Sequence, residues 1–214
     1  MVNVMILGGK GGAGKGTLVG LSNAADTHLV ISTGNLLRAA VAAGTELGLE
    51  AKSYMDRGLL VPDELIIGMV LESIKASAKP VILDGFPRSL DQSKAMLNAG
   101  IIPSVCIIVE APDEELLMRA EKRVVCLKCG ASYTTDDYNP TKVPGICDQC
   151  GGATGKRRDD QPEVVQKRLA EYHANTLPAY EYLRSSGIPI VIVNNSNARP
   201  KGEALAEFVS ALDK

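Results

Sequence analysis

The sequence predicts a three-layer α/β fold: a central five-stranded parallel sheet with helices packed on both faces. Two observations carry that expectation. Five short apolar runs, rich in β-branched residues, mostly lack polar alternation, as strands covered on both sides do. Helical patterns separate them, and strand–helix alternation of this kind builds a doubly wound sheet. A third observation is what interrupts the alternation: two stretches without a strand candidate, which read as insertions into one core.

The first run, residues 3–7, leads into a glycine-rich loop and a helical pattern over 17–25. A second run follows at 28–31, then an insertion at about 32–61 that is helical in pattern. A helix over 63–77 leads to the third run at 81–83, and a helix over 89–99 leads to the fourth at 104–109. That fourth run contains Cys106, which reads as an inert core thiol. The pattern over 113–123 begins with a Pro-Asp start signal, and the pattern over 162–185 has a proline in its first turn. Between these two helices lies a segment, about 126–155, rich in Gly, Cys, Pro, Asp and Thr. The fifth run is 189–193.

The bulk properties exclude several classes. A chain of 214 residues holds one good-sized core plus small insertions. A net charge of −2 gives no global field to draw in nucleic acid or an anionic membrane, so phosphate chemistry must rest on local clusters of Arg and Lys. The N-terminus has no basic leader. The longest apolar stretch, 101–109, is broken by Pro103 and is too short to span a bilayer. A cytoplasmic protein is the expectation.

Residues 9–17, Gly-Lys-Gly-Gly-Ala-Gly-Lys-Gly-Thr, sit between the first run and the first helix. The spacing is that of a P-loop, with Gly16 inserted before the threonine. Backbone N–H groups of such a loop turn inward around phosphate oxygens, and the helix N-terminus adds its dipole. Lys15 then reaches the β- and γ-phosphates and Thr17 offers a hydroxyl to Mg²⁺. The motif indicates phosphate binding without choosing a reaction.

Cys126-x2-Cys129 and Cys147-x2-Cys150, seventeen residues apart, have the spacing of a closed four-thiolate site. A structural Zn²⁺ is the expected metal; Fe or Co fits the same thiolates. A redox dithiol pair is the alternative reading. The insertion has almost no core of its own, so a metal would staple it. Its charge is slightly acidic, which argues against a nucleic-acid-reading zinc ribbon.

Arginines 38, 88, 119, 123, 157, 158 and 168 cluster around the two insertions. As a set in a nearly neutral chain they read as a phosphate clamp, because planar forks match phosphate oxygens. Arg119 and Arg123, four apart, are expected on one helix face. Asp84 ends a strand beside the loop and can face Mg²⁺; a plain helix cap is the alternative. His28 and His173 read as structural.

GGAGKGT at the loop, STGNLLR at 32–38, LDGFPRS at 83–89 and RRDDQPEVVQKRL at 157–169 together resemble the adenylate kinase family, in the family's order and over nearly the whole chain. The resemblance is to the long-lid bacterial type, whose lid carries four cysteines, among the nucleoside monophosphate kinases. It implies a P-loop core at 1–31, 62–122 and 161–214, an NMP-binding insertion at 32–61 and a metal-stapled lid at 123–160.

The resemblance further implies reversible, Mg²⁺-dependent phosphoryl transfer between ATP and AMP to give ADP, by a monomer with no nucleic-acid or membrane partner. Gly12, Ala13, Gly14, Lys15, Gly16 and Thr17 would hold ATP phosphates, with Arg119, Arg123, Ser132 and Tyr133 from the lid side and Arg199 near the adenine. Thr33, Arg38, Leu59, Val61, Gly85, Arg88 and Gln92 would hold AMP. Arg157 and Arg168 would bridge toward the AMP phosphate and the transferring group, with Asp159 and Asp160 orienting them. Lys15, Arg88, Arg123, Arg157, Asp159 and Arg168 form the implied catalytic set, with Thr17 and Asp84 toward Mg²⁺. Gly11 stands where the family usually has proline, and Asn35 where it often has aspartate. Kinases of UMP/CMP or GMP are the rival within the same class.

Overall fold

The computed structural model describes residues 2–136, 138–200 and 202–213; Asp137 and the side chain of Arg158 lie outside the described residues. In chain order, β1 (Val4–Gly9) enters the phosphate loop, and α1 (Lys15–Leu21) leaves it. Next come α2 (Ala24–Thr27), β2 (Leu29–Ser32), α3 (Thr33–Ala42), α4 (Glu46–Met55) and α5 (Asp63–Lys75). β3 (Val81–Asp84), α6 (Leu90–Asn98), β4 (Val105–Glu110) and α7 (Asp113–Lys122) lead up to the cysteine segment. The cysteine segment contains β5 (Arg123–Cys126), β6 (Ser132–Thr134) and β7 (Thr154–Gly155). After it come α8 (Pro162–Glu171), α9 (Leu177–Ser185), β8 (Ile190–Asn194) and α10 (Glu203–Leu212).

The five expected runs form one parallel sheet in the order β2-β3-β1-β4-β8. Period-two alternation sends successive residues to opposite faces. Val4, Ile6, Val81, Leu83, Cys106 and Ile108 enter one core. Met5, Leu7, Ile82, Val105, Ile107 and Val109 enter the other, with Phe208 of α10. Leu7 and Ser32 both pair in register with Asp84, so the carboxyl ends of the central strands finish level with one another. Loops at that edge converge, which is where ligands bind in open α/β sheets.

Several boundaries differ from those the periodicity suggests. The pattern over 17–25 is two helices, parted at Asn23, whose φ is 55°. The pattern over 113–123 stops at Lys122. Arg123 is extended and pairs with Thr134, because the β-branched Val124 and Val125 favour a strand. Arg119 and Arg123 therefore do not share a helix face.

The run over 162–185 is broken by a π turn at Tyr172–Thr176. Pro178 has no N–H to continue the ladder, and the turn absorbs the fault. The lid holds a three-stranded antiparallel sheet, β6-β5-β7, whose strands are too short to show a period. α10 is a further element that the reading of apolar runs misses.

Candidate active site

The phosphate loop is shaped by its glycines. Gly14, the residue before α1, has φ 96°, a left-handed conformation that a side chain would strain. No side chain caps α1 and its first turn carries no acid. The N–H groups of that turn have no intrahelical partner and form an anion seat.

Lys15 Nζ donates to the carbonyls of Gly9 and Lys10, at 2.8 Å each. Burial lowers its pKa to about 8; Asp84 opposes that shift, while Arg88, Arg168 and Arg123 reinforce it. Among the described residues, no hydrogen bond or ion pair engages the carboxylate of Asp84 or the hydroxyl of Thr17. A carboxylate and a hydroxyl left unengaged beside the phosphate seat are the hard oxygen donors that Mg²⁺ takes.

The turn after β3 supplies the opposite wall. Gly85 has φ 78°, and a Cβ there would lie 2.4 Å from Arg88 Nη2, so glycine is what lets the guanidinium fold back. Arg88 Nε donates to Gly85 O at 2.7 Å. Ser89 caps its own helix by accepting from Gln92 N, which leaves Asp84 out of capping. Gln92 is buried: Oε1 accepts from Arg88 N at 2.7 Å and Nε2 donates to Asp63. Thr33 is also buried and donates to Gly85 O at 3.0 Å.

The segment between the lid and α8 gathers the remaining cations. Arg157 donates to Asp159 at 3.0 and 2.7 Å, and Arg168 to the same carboxylate at 3.1 Å. Burial works against ionisation of Asp159, yet the two arginines hold it well below the usual carboxylate range. Arg123 makes a two-pronged pair with Asp160, whose side chain is only 3% exposed. Burial together with crowding by like charge lowers Arg38 to about 9 and Arg168 to about 10. The arginines stay charged at neutral pH, in a site with more positive charge than its carboxylates cancel.

These groups border one cleft of about 2060 Å³, open between the phosphate loop, α3 and the lid. Drug-sized pockets reach about 1,000 Å³, so the cleft has room for two nucleotides. Gly12, Gly14, Lys15, Gly16, Thr17, Thr33, Arg38, Leu59, Val61, Asp84, Gly85, Arg88, Gln92, Arg119, Arg123, Ser132, Arg157, Asp159, Arg168 and Arg199 all line it. Ala13 is buried behind the loop, its carbonyl accepting from Asn195 at 2.7 Å. Arg119 borders the cleft but already donates to Asn195 O, Asn197 and Glu115.

Two of the implied ATP-side residues have their polar groups engaged by the protein itself. Tyr133 is buried inside the lid, where its hydroxyl meets Cys147 Sγ at 3.2 Å and accepts from Asp148 N, so it does not reach the cleft. Arg199 spends its guanidinium on Glu203, Glu207 and the Asn194 carbonyl, which pins it to α10 and the end of β8. Neither His28 nor His173 lines the cleft. Asn35 lines the cleft and accepts from Arg38 at 2.6 Å, and a Cβ placed on Gly130 of the lid would lie 3.2 Å from its Oδ1, a placement that only the folded chain reveals.

The four lid cysteines converge with every Sγ within 4.8 Å of the others. Cys126–Cys150 and Cys129–Cys147 stand at 3.5 Å, far longer than a disulfide of about 2.05 Å. Tetrahedral Zn–S bonds of about 2.3 Å place sulfurs about 3.8 Å apart, close to what is found. N–H groups of Cys129 and Lys128 point at Cys126 Sγ and lower its pKa. At Cys147, burial is outweighed by the Tyr133 hydroxyl and the N–H groups of Cys150 and Gln149, which hold it at about 6. Burial and the neighbouring sulfurs push Cys129 up to about 12. Four thiolates cannot ionise side by side without a cation between them, so the donor set fits a divalent metal.

A family model described as adenylate kinase matches residues 6–188. An adenylate kinase of Agathobacter rectalis is 43% identical, over 97% of this chain and 98% of that protein. Adenylate kinases of Carboxydothermus hydrogenoformans and Methanosarcina barkeri are each 42% identical over 98% of this chain, covering 99% and 98% of their own lengths. No described helix is long and apolar enough to cross a membrane.

Proposed function

We infer the reaction from one premise: the chain belongs to the adenylate kinase family, and it is a nucleoside monophosphate kinase phosphotransferase. The reading is reversible, Mg²⁺-dependent transfer of the ATP γ-phosphoryl group to AMP, yielding two ADP. One observation supports it above the rest: Lys15, Arg38, Arg88, Arg123, Arg157 and Arg168 border a single cleft large enough for two nucleotides. ATP would lie on the phosphate loop and AMP between Thr33, Arg38 and Arg88. Residues 32–61 and 123–160 would act as the two flaps over a core of 1–31, 62–122 and 161–214.

The chemistry needs no protein base. The acceptor is a phosphate with a second pKa of about 6, already an anionic nucleophile at neutral pH. The protein's own work is to align the two phosphates, stabilise the charge on the transferring group and exclude water. Lys15 would turn from the Gly9 carbonyl to the β- and γ-phosphates while one of its three N–H groups keeps the Lys10 carbonyl. Arg88 would fix the AMP phosphate. Asp159 holds Arg157 and Arg168 as a pair, and both line the cleft. Asp160 does the same for Arg123. Mg²⁺, held through Thr17 and Asp84, would neutralise charge on ATP. Zn²⁺ on Cys126, Cys129, Cys147 and Cys150 would keep the lid folded and take no part in the transfer.

The test is ADP formation from ATP with AMP, CMP, UMP or GMP, with and without Mg²⁺. AMP should be preferred by at least about tenfold in kcat/KM, with no turnover when Mg²⁺ is chelated. Equal rates with the pyrimidine monophosphates would refute the choice of AMP. No ADP at all would refute the reaction.

A further inference from the structure

Lys10 stands alone at the crown of the loop, between Gly8 and Gly9 on one side and Gly11 and Gly12 on the other. Gly8 and Gly9 are held as strand residues opposite Ile108 and Val109, and Gly9 N donates to the Tyr180 hydroxyl. Past the end of β1, Lys10 is the first residue with a side chain to anchor the loop, and the two glycines after it have none. Its side chain does not enter the cleft. It turns to the other side of the loop, into a separate cavity of about 270 Å³.

There Lys10 Nζ lies 2.7 Å from Asp113, at the start of α7, and 3.4 Å from Glu110, at the end of β4. The chain is 12% exposed and stacks over the Tyr172 ring, 5.9 Å from its centroid. Glu110 in turn accepts from the Tyr172 hydroxyl. The backbone of Lys10 faces the other way, its carbonyl accepting from Lys15 Nζ at 2.8 Å and from Ala13 N at 3.3 Å.

We propose that Lys10 is a positioning residue for phosphoryl transfer: its tie to Asp113 and Glu110 fixes the loop crown and so sets where the Lys15 ammonium meets ATP. The same tie joins the loop to α7, which carries Arg119, and to the π turn that follows the Arg168 helix. A loop loosened by an ångström loses its alignment with both, and misplacement on that scale costs far more rate than the lost ion pair costs stability.

This rests on the reading of the cleft as an ATP site, and the experiment separates the two. ATP affinity is measured by calorimetry, and kcat and the KM values for ATP and AMP by ADP formation, for the parent chain, Lys10→Met, Lys10→Arg, Asp113→Asn and the Lys10→Met/Asp113→Asn double variant. Lys10→Met should weaken ATP binding and lower kcat by about tenfold each, with the AMP KM inside about twofold. Lys10→Arg should recover most of the loss. The double variant should be no worse than either single one, because both remove the same tie. If Lys10→Met lowers the melting temperature but leaves ATP affinity and kcat inside about twofold of the parent, Lys10 is a tether only and the proposal is wrong. An equal rise in the AMP KM would also overturn it. If Lys10→Met fails to fold, Asp113→Asn carries the same test alone. A parent that binds ATP but forms no ADP defeats the reaction proposed above and leaves the affinity comparison valid.

Discussion

Lys15 makes a prediction that can be worked through from its surroundings. Burial and the nearby Arg88, Arg168 and Arg123 lower its pKa from 10.5 to about 8. That difference corresponds to roughly 3 kcal/mol against the charged form in the unliganded site. ATP reverses the balance, since phosphate oxygens in contact with the ammonium favour its charge. At pH 8.5 about three-quarters of the unliganded lysine is neutral, so ATP binding should take up about three-quarters of a proton. At pH 7 the uptake falls to about a tenth.

The assay is calorimetry of ATP binding in buffers of different ionisation enthalpy. The slope of observed against buffer enthalpy counts the protons. Lys15→Met should abolish the pH 8.5 uptake. A slope near zero for the parent at pH 8.5, or an unchanged slope in Lys15→Met, would refute the reasoning. The sign for stability follows from the same shift. The folded pKa lies below the unfolded one, so between about pH 8 and 10.5 the unfolded chain binds more protons at this residue. Its penalty on the unliganded fold is complete below pH 8 and is relieved as pH rises through that window.

Three further outcomes are expected. Asp160→Ala leaves the buried Arg123 guanidinium without its two-pronged partner and should cost about 3 kcal/mol in urea unfolding, with kcat falling as well; a loss below about 1 kcal/mol would show that Arg123 finds another acceptor. Removing metal from the four cysteines should lower the melting temperature and unfold the lid while ATP still binds the phosphate loop, which parallel unfolding and nucleotide titrations would read; an unchanged melting temperature after complete removal would exclude a structural metal. Gly85→Ala, at φ 78° and with its Cβ 2.4 Å from Arg88, should raise the KM for AMP by about tenfold or more and leave that for ATP nearly unchanged, as initial rates would show.

What the chain alone determined was whatever depends on local pattern. The five apolar runs specify a parallel sheet covered on both faces, because such strands show no polar alternation, although the edge strands β2 and β8 leave Leu29 and Ile192 exposed. The phosphate loop was legible because its glycines, Lys15 and the following helix are contiguous. The cysteine quartet was legible because each thiolate pair must be closely spaced to grip one ion. Tertiary structure decided whatever depends on partners distant in sequence. Arg123 leaves its helix for a strand because β6 is there to pair with it, and it finds Asp160 thirty-seven residues away. Tyr133, which the resemblance set toward ATP, lies in the lid interior, and Arg199 borders the cleft with its guanidinium paired to Glu203 and Glu207 of α10. Lys10 sits in the phosphate motif yet points out of the site, toward carboxylates a hundred residues on. Side-chain direction and ion pairing are long-range choices, made by which charges the fold brings together, and no local period records them.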